Sequence, residues 1–497
     1  MKKDVLNRSL NSENDKLTAG SPTVSMDGKV AAEDDPARKA FLTRPLGGLI
    51  FRNALPAVAS MLFMAFYHMA DAVMVGRSLG PEALASVNIL YPIMALFIGL
   101  AAMVGVGGNA RVAVLQGAGE TAAARRVLGL VITLGVLLGI VGSLVTVLAF
   151  SRILAILGTS SSASLSAMAG QYLITLYPFF TMMILIFILE QTVRNDGRPN
   201  LATGVMMAMA LLNIILDYIF LFPLNMGIAG AALATGLSQS LGALIFLAYF
   251  LYKKMQALPG LRIGMPGGGY SSLRLIAFNG SSEFFNSVAA GLTTFLFNRA
   301  LLSHLGSEGV AAFALVQYLL MFSSVVFIGM SIGSQPILSY NHGAGLADRV
   351  RGTLKRLITA SALLGVFFFI LLRWQAPAMV NLFIPDHPET VALTLRAAAI
   401  ISWSLLIMPV GIISSMFFTA LERAGSSLLV ALSRGLIFTV IGLTVFPSLW
   451  GETGIWITPL FSETAAVFVT AFLIFRWSVQ TERSAVLQGA EPLAQAE

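Results

Sequence analysis

The sequence lacks cysteine altogether, which excludes disulfide bonds and thiolate metal sites. Charge is also scarce: charged residues make up 11% of the 497-residue chain, against 57% hydrophobic residues and a mean hydropathy of +0.82. A soluble domain cannot bury that much apolar surface. Histidine occurs only at His68, His304, His342 and His387, without the HExxH spacing of a zinc enzyme. We therefore expect an integral membrane protein that is not an enzyme and uses no cofactor.

Long apolar runs dominate the rest of the chain. About twelve of them are long enough to cross a membrane as helices, and the short alternating segments of a β-barrel are not seen. The sequence therefore predicts an all-α integral membrane protein with twelve transmembrane spans. Spans 1 to 6 are expected at 48–78, 83–115, 121–149, 165–193, 200–221 and 228–253, and spans 7 to 12 at 272–300, 309–340, 349–373, 389–420, 427–447 and 454–476.

The net charge of +7 does not indicate a nucleic-acid partner, because the basic residues follow the membrane topology. With the N-terminus inside, most arginines and lysines that flank the spans fall in loops on that same side. The opposite loops hold only Arg77, Arg152, Arg299 and Arg373. This positive-inside bias predicts that both termini are cytoplasmic and that the surrounding partners are membrane lipids.

The chain repeats itself across its middle. "LGPEALASVNI" from Leu79 matches "LGSEGVAAFAL" from Leu305, and "GAGETAAARR" from Gly117 matches "GAGLADRVRG" from Gly343, in both cases 226 residues apart. Six spans per copy is an even number, so the copies share one orientation and are related by a pseudo-two-fold axis along the membrane normal. Two such lobes facing each other across a cleft favour a transporter that works by alternating access, and twin lobes in one chain suggest a monomer.

The repeat and the polar segments predict the domain boundaries. Residues 1–43 and 479–497 are polar and are expected to be disordered cytoplasmic tails. The N-lobe covers 44–253, a Gly-rich cytoplasmic linker covers 254–271, and the C-lobe covers 272–478.

Ionisable residues inside the membrane are costly, at least about 2.5–3.5 kcal/mol each, and usually functional. Asp71 in span 1 and Asp217 in span 5 lie at similar depth in the outer half of the N-lobe. Asn213 lies one turn from Asp217 on the same face, and Thr235 lies level with it in span 6. These oxygens suit a hard cation such as Na⁺, while two close carboxylates could equally share a proton. Asn213 and Thr235 could instead simply join helices by hydrogen bonds.

Two neighbours of Asp71 could assist it. His68 and Tyr67 lie about one turn earlier on the same helix, within reach of a hydrogen bond to its carboxylate. His68 could relay protons to Asp71, or it could be an ordinary packing partner.

The C-lobe does not copy these acids. Instead, Glu283 in span 7 and Glu463 in span 12 lie near the midplane, where an acidic cavity would attract a cationic substrate. Asn286 and Gln317 are further polar candidates for that cavity, although the two acids could also serve only packing. Met64 and Phe180 belong to clusters of methionine and phenylalanine that suit a site accepting many shapes, or that only pack.

With these residues in place, the chain resembles the multidrug and toxin extrusion (MATE) family over roughly residues 45–476. The resemblance rests on the order and spacing of "MADAVMVGRSLGPEALA", "RNDGRPN", "NIILDY", "GIAGAALATGLSQ", "LGSEGVAAF" and "SYNHGAG". It implies export of drug-like, mostly cationic molecules across a bacterial inner membrane, driven by inward Na⁺ or H⁺.

The resemblance also implies a cation site. Family members use an Asp of helix 1, an Asn and an Asp four residues apart in helix 5, and a Thr in helix 6, which correspond here to Asp71, Asn213, Asp217 and Thr235. Some members add an acid of helix 7, matched by Glu283. Others add an Asp in helix 10, where this chain has no acid.

Three alternatives are kept. A flippase for a lipid-linked precursor, from the same wider superfamily, would need a cationic cavity, whereas this sequence has more buried acid than buried base. A membrane-embedded non-transport protein is the second, and if it were an enzyme it would need a catalytic constellation, which the scattered histidines do not form. A channel would not need two fused lobes with intramembrane acids.

Overall fold

The structure, a computed structural model, describes residues 35–157, 162–383 and 388–494. Within these ranges the regular structure is entirely helical. The first half contains α1 (Pro36–Thr43), α2 (Leu46–Leu79), α3 (Pro81–Ile89), α4 (Tyr91–Gly117), α5 (Thr121–Leu148), α6 (Phe150–Ile156), α7 (Ala163–Leu176), α8 (Phe180–Asn195), α9 (Pro199–Leu221) and α10 (Ile228–Met255). The second half contains α11 (Gly269–Gly343), α12 (Ala347–Phe383), α13 (Pro388–Ile401), α14 (Met408–Ala420), α15 (Ala424–Leu432), α16 (Phe438–Trp450) and α17 (Glu452–Ala494).

The expected all-helical membrane fold is confirmed. Eleven of the described helical segments are long and apolar enough to cross a membrane. Predicted span 7 lies in the first half of α11, which is not one of the eleven; its polar residues, among them Glu283, Asn286 and Arg299, lower its hydropathy. This half nevertheless packs along α4 inside the bundle, so it belongs to the same layer of helices.

Several predicted spans are interrupted where the sequence predicts one helix. A 3₁₀ turn at Tyr177–Phe179 separates α7 from α8, and it contains Pro178, which cannot donate a backbone hydrogen bond. A second 3₁₀ turn at Ser402–Leu406 divides span 10. A π-helical turn at Ser433–Ile437 lies inside span 11. Such turns re-aim the side chains that follow them.

The internal repeat is visible in the backbone. Gly80 and Gly306, which are 226 residues apart, both have left-handed φ, at 85° and 62°. Gly119 and Gly345 are again 226 residues apart, with φ of 85° and 72°. Left-handed φ favours glycine because a Cβ would clash with the backbone. The two lobes, N-lobe α2–α10 and C-lobe α11–α17, therefore share the same turns as well as the same sequence motifs.

Helix α4 of the N-lobe meets α11 of the C-lobe at glycines. A Cβ on Gly107 would lie 2.5 Å from the Ile276 carbonyl oxygen, and a Cβ on Gly280 would collide with the Met103 carbonyl oxygen. Nearby, Arg111 of α4 pairs with Glu422, which follows α14, at 3.0 Å. These contacts lie toward one end of the bundle, which carries Arg125, Arg198, Lys253, Arg349 and Arg423 and is called the basic end. The lobes are thus packed together at the basic end.

A matched pair of glycines on α11 tests this interface. Gly280→Ala should lower the free energy of unfolding by about 1–3 kcal/mol, because α4 and α11 must separate to admit the methyl group. Gly291→Ala on the same helix meets nothing within 4 Å and should raise it by about 0.5–1 kcal/mol, because alanine is the better helix former. Chemical unfolding in detergent measures both, and equal shifts for the two variants would contradict the packing described.

Both predicted tails are partly helical. The sequence predicts disorder over 1–43, yet residues 36–43 form α1, which packs through Ala37 and Phe41 into an apolar cluster with α2, α11, α12 and α14. Residues 1–34 lie outside the described residues. At the other terminus α17 continues to Ala494, beyond the predicted end of the C-lobe at 478. Polar composition misled the prediction because α1 contributes only two buried side chains.

Candidate functional site

Three N-lobe helices carry the residues predicted to bind a cation. Asp71 lies on α2, Asn213 and Asp217 on α9, and Thr235 on α10. Helix α9 packs against both α2 and α10. Asp217 is 0% exposed, Asn213 2% and Thr235 9%, so these polar side chains point into the lobe rather than into lipid.

The two carboxyl groups face each other. Asp71 and Asp217 are close enough for their charges to act on each other. Two ionised carboxylates repel each other and can only accept hydrogen bonds, so their approach favours a proton or a cation between them. Both oxygens of Asp217, Oδ1 of Asp71 and both amide atoms of Asn213 are buried without a hydrogen-bond partner. Buried polar atoms are normally satisfied, so this cluster is suited to receive a ligand.

Two residues of this cluster were missed by the sequence analysis. Tyr172 of α7 is 7% exposed and lies close to Thr235 and to both aspartates. Gln239, one turn after Thr235 on α10, lies close to the hydroxyl of Tyr67. The helical i, i+4 rule that joins Asn213 to Asp217 could have found Gln239. Nothing in the sequence singles out Tyr172 from the other tyrosines.

The proposed helpers of Asp71 differ in position. Tyr67 is buried at 8% exposure and points toward the aspartates. His68 is exposed, and its ring lies 4.1 Å from the ring of Tyr67.

The donor set fits a small monovalent ion. Two carboxylates, an amide oxygen and a hydroxyl are all oxygen ligands, which hard cations prefer. Across the described ranges, no three His, Asp or Glu side chains converge as a metal-binding group. Asp71, Asn213, Asp217 and Thr235 would hold Na⁺, and the aspartates alone would hold a proton.

In the C-lobe, Glu463 of α17 carries its own counter-ion. Arg434 Nη2 and Nε lie 2.8 and 3.2 Å from Oε1 of Glu463, and both side chains are largely buried. Arg434 lies in the π-helical turn, a feature often found at functional sites. The pair packs against Gly411 of α14, where a Cβ would lie 3.2 Å from the Arg434 side chain.

Glu283 is the acid left without a partner. Its carboxylate makes no hydrogen bond or ion pair with the residues the structure describes, although the charge of Arg434 is close enough to act on it. Asn286 and Thr294 follow Glu283 on α11 and are exposed, and Gln317 is exposed on the second half of the helix. Exposed polar residues in a membrane helix normally face a water-filled cavity. Glu283, Glu463 and Arg434 together leave one uncompensated negative charge.

The two apolar candidates for the cavity lie in the N-lobe packing. Phe180 is 2% exposed and its ring lies 4.6 Å from that of Phe97 in a core cluster, so the expectation that it lines the cavity is wrong for this conformation. Met64 is partly buried against the other N-lobe cluster. Clustering of Phe and Met in sequence did not distinguish core from cavity.

Comparison with known proteins gives a consistent picture. The family model MatE matches residues 56–219 and 287–444. The multidrug export protein MepA of Staphylococcus aureus (strain MSSA476) is 25% identical over 451 residues, which cover 90% of this chain and 98% of the relative. MepA of Staphylococcus haemolyticus (strain JCSC1435) is 25% identical over 422 residues, covering 85% and 92%.

Solved structures share the fold. A crystal structure of a MATE protein in complex with MaL6 superposes with a TM-score of 0.84 at 22% identity and covers 90% of this chain and 99% of that one. A MOP superfamily transporter from Pyrococcus furiosus, whose reversed binding-pocket polarity suggests a different function for it, gives a TM-score of 0.82 at 22% identity and covers 89% and 98%.

Proposed function

This chain belongs to the MatE family, and from that membership we propose that it is a multidrug exporter that exchanges amphipathic organic cations for Na⁺ or H⁺. Curated relatives that align with this chain over nearly their whole length are named multidrug export proteins, and these names support the proposed substrate class. The observation that carries the coupling is the buried pair of Asp71 and Asp217, whose oxygens lack partners.

The coupling ion would bind at the aspartate pair. An ion or proton between Asp71 and Asp217 relieves the repulsion of two buried carboxylates, and Na⁺ there would also take oxygen ligands from Asn213 and Thr235. Because α2 carries Asp71 and also packs against α11 of the C-lobe, binding at the pair can bias how the lobes meet. Coupling requires only that the ion and the drug favour different lobe arrangements.

The drug would bind nearer the C-lobe. Glu283 supplies the uncompensated negative charge, and exposed Asn286 and Gln317 supply polar contacts along α11. A single positive charge on the drug neutralises this charge without a contact at the aspartate pair. The ion and the drug thus occupy different lobes, and exchange depends on movement between the lobes.

The conformation described has its lobes packed at the basic end. We place that end in the cytoplasm of a bacterium, with the chain acting as a monomer in the inner membrane, because basic flanks mark the cytoplasmic side. The cleft then opens outward, where incoming Na⁺ or H⁺ reaches the aspartates and the drug leaves.

Transport in proteoliposomes tests this function. Purified protein is reconstituted, a fluorescent organic cation is added, and Na⁺ and pH gradients are imposed separately. We expect uphill dye movement under at least one gradient and none in vesicles without protein. Dye movement that is independent of both gradients would indicate a facilitator. Movement of a lipid-linked anion in place of the dye would indicate a flippase. Either result would overturn the proposal.

A further inference from the structure

The short helix α1 lies across the boundary between the two lobes at the basic end. Asp35 caps its N-terminus by accepting hydrogen bonds from the backbone of Ala37, at 3.0 Å, and Arg38, at 3.4 Å. Pro45 follows its C-terminus; it has no backbone N–H with which to continue α1, and it leads directly into α2. The position of α1 is therefore tied to the N-lobe by covalent connection.

One end of α1 rests on N-lobe loops. Arg38 Nε donates to the carbonyl of Gly117, at the end of α4, at 3.3 Å. Ala37 packs so close to Gly197 that a Cβ on this glycine would lie 3.0 Å from the Ala37 methyl group. Asp35 lies beside Gly260 of the linker between the lobes.

The other end of α1 is held by the C-lobe. The Phe41 ring is 2% exposed and lies 4.7 Å from the ring of Tyr340 near the end of α11. Its carbonyl accepts hydrogen bonds from Asn341 Nδ2 at 3.2 Å and from Arg349 Nη2 at 3.1 Å. Arg349 Nη2 also donates to the Arg44 carbonyl at 2.9 Å. The carbonyls that any helix leaves unpaired at its C-terminus are here supplied with donors by the opposite lobe.

An eight-residue helix is not stable in isolation, because nucleation costs more than so few hydrogen bonds return. The order of α1 therefore depends on its docking sites, and these sites exist together only when the lobes meet. The same Tyr340 donates its hydroxyl to the Asn195 carbonyl of the N-lobe at 2.9 Å, so α1 covers a point where the lobes already touch. Opening of the basic end must separate Tyr340 from Asn195 and must pull Phe41 off Tyr340.

We propose that α1 is a latch that holds the basic end closed, with Phe41 as the part that engages the C-lobe. This inference rests on the alternating access of the proposed function, to which it adds the step that controls opening. The latch stays with the N-lobe, through Arg38 and the connection to α2, and releases Tyr340, Asn341 and Arg349 when the basic end opens. Its strength sets how often the drug site faces the basic side.

The absence of cysteine makes the test direct. Ala122→Cys and Asp348→Cys place spin labels at exposed, repeat-related positions on the two lobes at the basic end, 226 residues apart. Double electron–electron resonance then reports the ratio of open to closed basic ends in otherwise full-length protein. Adding Phe41→Ala should raise this ratio about tenfold, within the usual range of coupling between two states. Adding Lys39→Ala, on the exposed face of α1, should leave it unchanged.

A second variant guards against misfolding. Arg38→Ala removes one hydrogen bond to Gly117 and should raise the ratio by less than Phe41→Ala does. If Phe41→Ala does not fold, Arg38→Ala alone decides the matter. Equal distance distributions for the folded latch variants and Lys39→Ala would overturn the latch.

Dye binding separates this result from the proposed function. Phe41→Ala should retain equilibrium binding of the organic cation, since α1 lies far along the bundle from Glu283 and the aspartates. If Phe41→Ala does not change the ratio of open to closed basic ends while the unmodified protein exports the dye, the latch is wrong and the proposed export function is unaffected. If the ratio changes as expected but the unmodified protein does not export the dye, the proposed substrate class is wrong and the latch is unaffected.

Discussion

Replacing Asp217 by asparagine should reduce gradient-driven dye export about a hundredfold, near the upper end of typical coupling free energies, while the protein stays folded. The change keeps the shape of the side chain and removes one of two facing buried carboxylates. Because both oxygens of Asp217 are buried without partners, their charge destabilises the folded protein. The free energy of unfolding should therefore stay the same or rise as transport is lost.

That combination separates a functional acid from a structural one. If Asp217 served only to join helices, its amide replacement would weaken the N-lobe and leave coupling largely intact. Asp348→Asn is the matched control, since the side chain of Asp348 is 99% exposed and its removal should change neither quantity. Export under a gradient at the unmodified rate in Asp217→Asn would rule out the aspartate pair as the coupling site.

Glu283→Gln should lower the affinity for a singly charged organic cation about ten- to a hundredfold and leave a neutral amphipath of similar size unaffected. The reason is charge: two unit charges about 4 Å apart attract by about 4 kcal/mol at an effective dielectric constant of 20, before desolvation reduces that value. Equilibrium binding of a matched cationic and neutral dye pair measures it. Glu308→Gln, an exposed acid farther along the same helix, is the control.

The Arg434–Glu463 pair provides the reverse test. Glu463→Gln frees Arg434 to neutralise Glu283, so cation binding should fall as in Glu283→Gln. Changing both Arg434 and Glu463 to methionine removes the pair together and should restore binding, since the charge of Glu283 survives. Loss of cation binding in the double variant, with the fold intact, would show that Glu283 does not act alone.

Much of the fold could be predicted from the sequence because membrane helices obey simple rules. Run length predicts spans, basic flanks indicate orientation, and the 226-residue repeat predicts two lobes, which the paired left-handed glycines Gly80 and Gly306 bear out in the backbone. Interruptions such as the π-helical turn around Arg434 could not be predicted, since they depend on tertiary contacts. The docking of α1 was missed because only two of its side chains are buried, which is too few to give a recognisable hydrophobic periodicity in a polar segment.

The candidate site could be predicted from the sequence to about the same extent as the fold. Depth counting along helices places Asp71, Asn213, Asp217 and Thr235 at one level, and the structure gathers them around α9. It could not reveal Tyr172, which lies close to the cluster from α7. Nor could it foresee that Glu463 is neutralised by Arg434, because Arg434 lies in a π-helical turn that the sequence does not predict.

The central claim, that the aspartate pair holds the coupling ion, is tested most directly by infrared difference spectroscopy of the purified protein. Buffers that differ in pH or in Na⁺ are exchanged over the same sample, and the carbonyl-stretch band of a protonated carboxyl group is followed. We predict a band that titrates with pH, or that Na⁺ abolishes, in the unmodified protein and in Asp348→Asn, and that is lost in Asp71→Asn and in Asp217→Asn. An undiminished band in both of these variants would contradict the account.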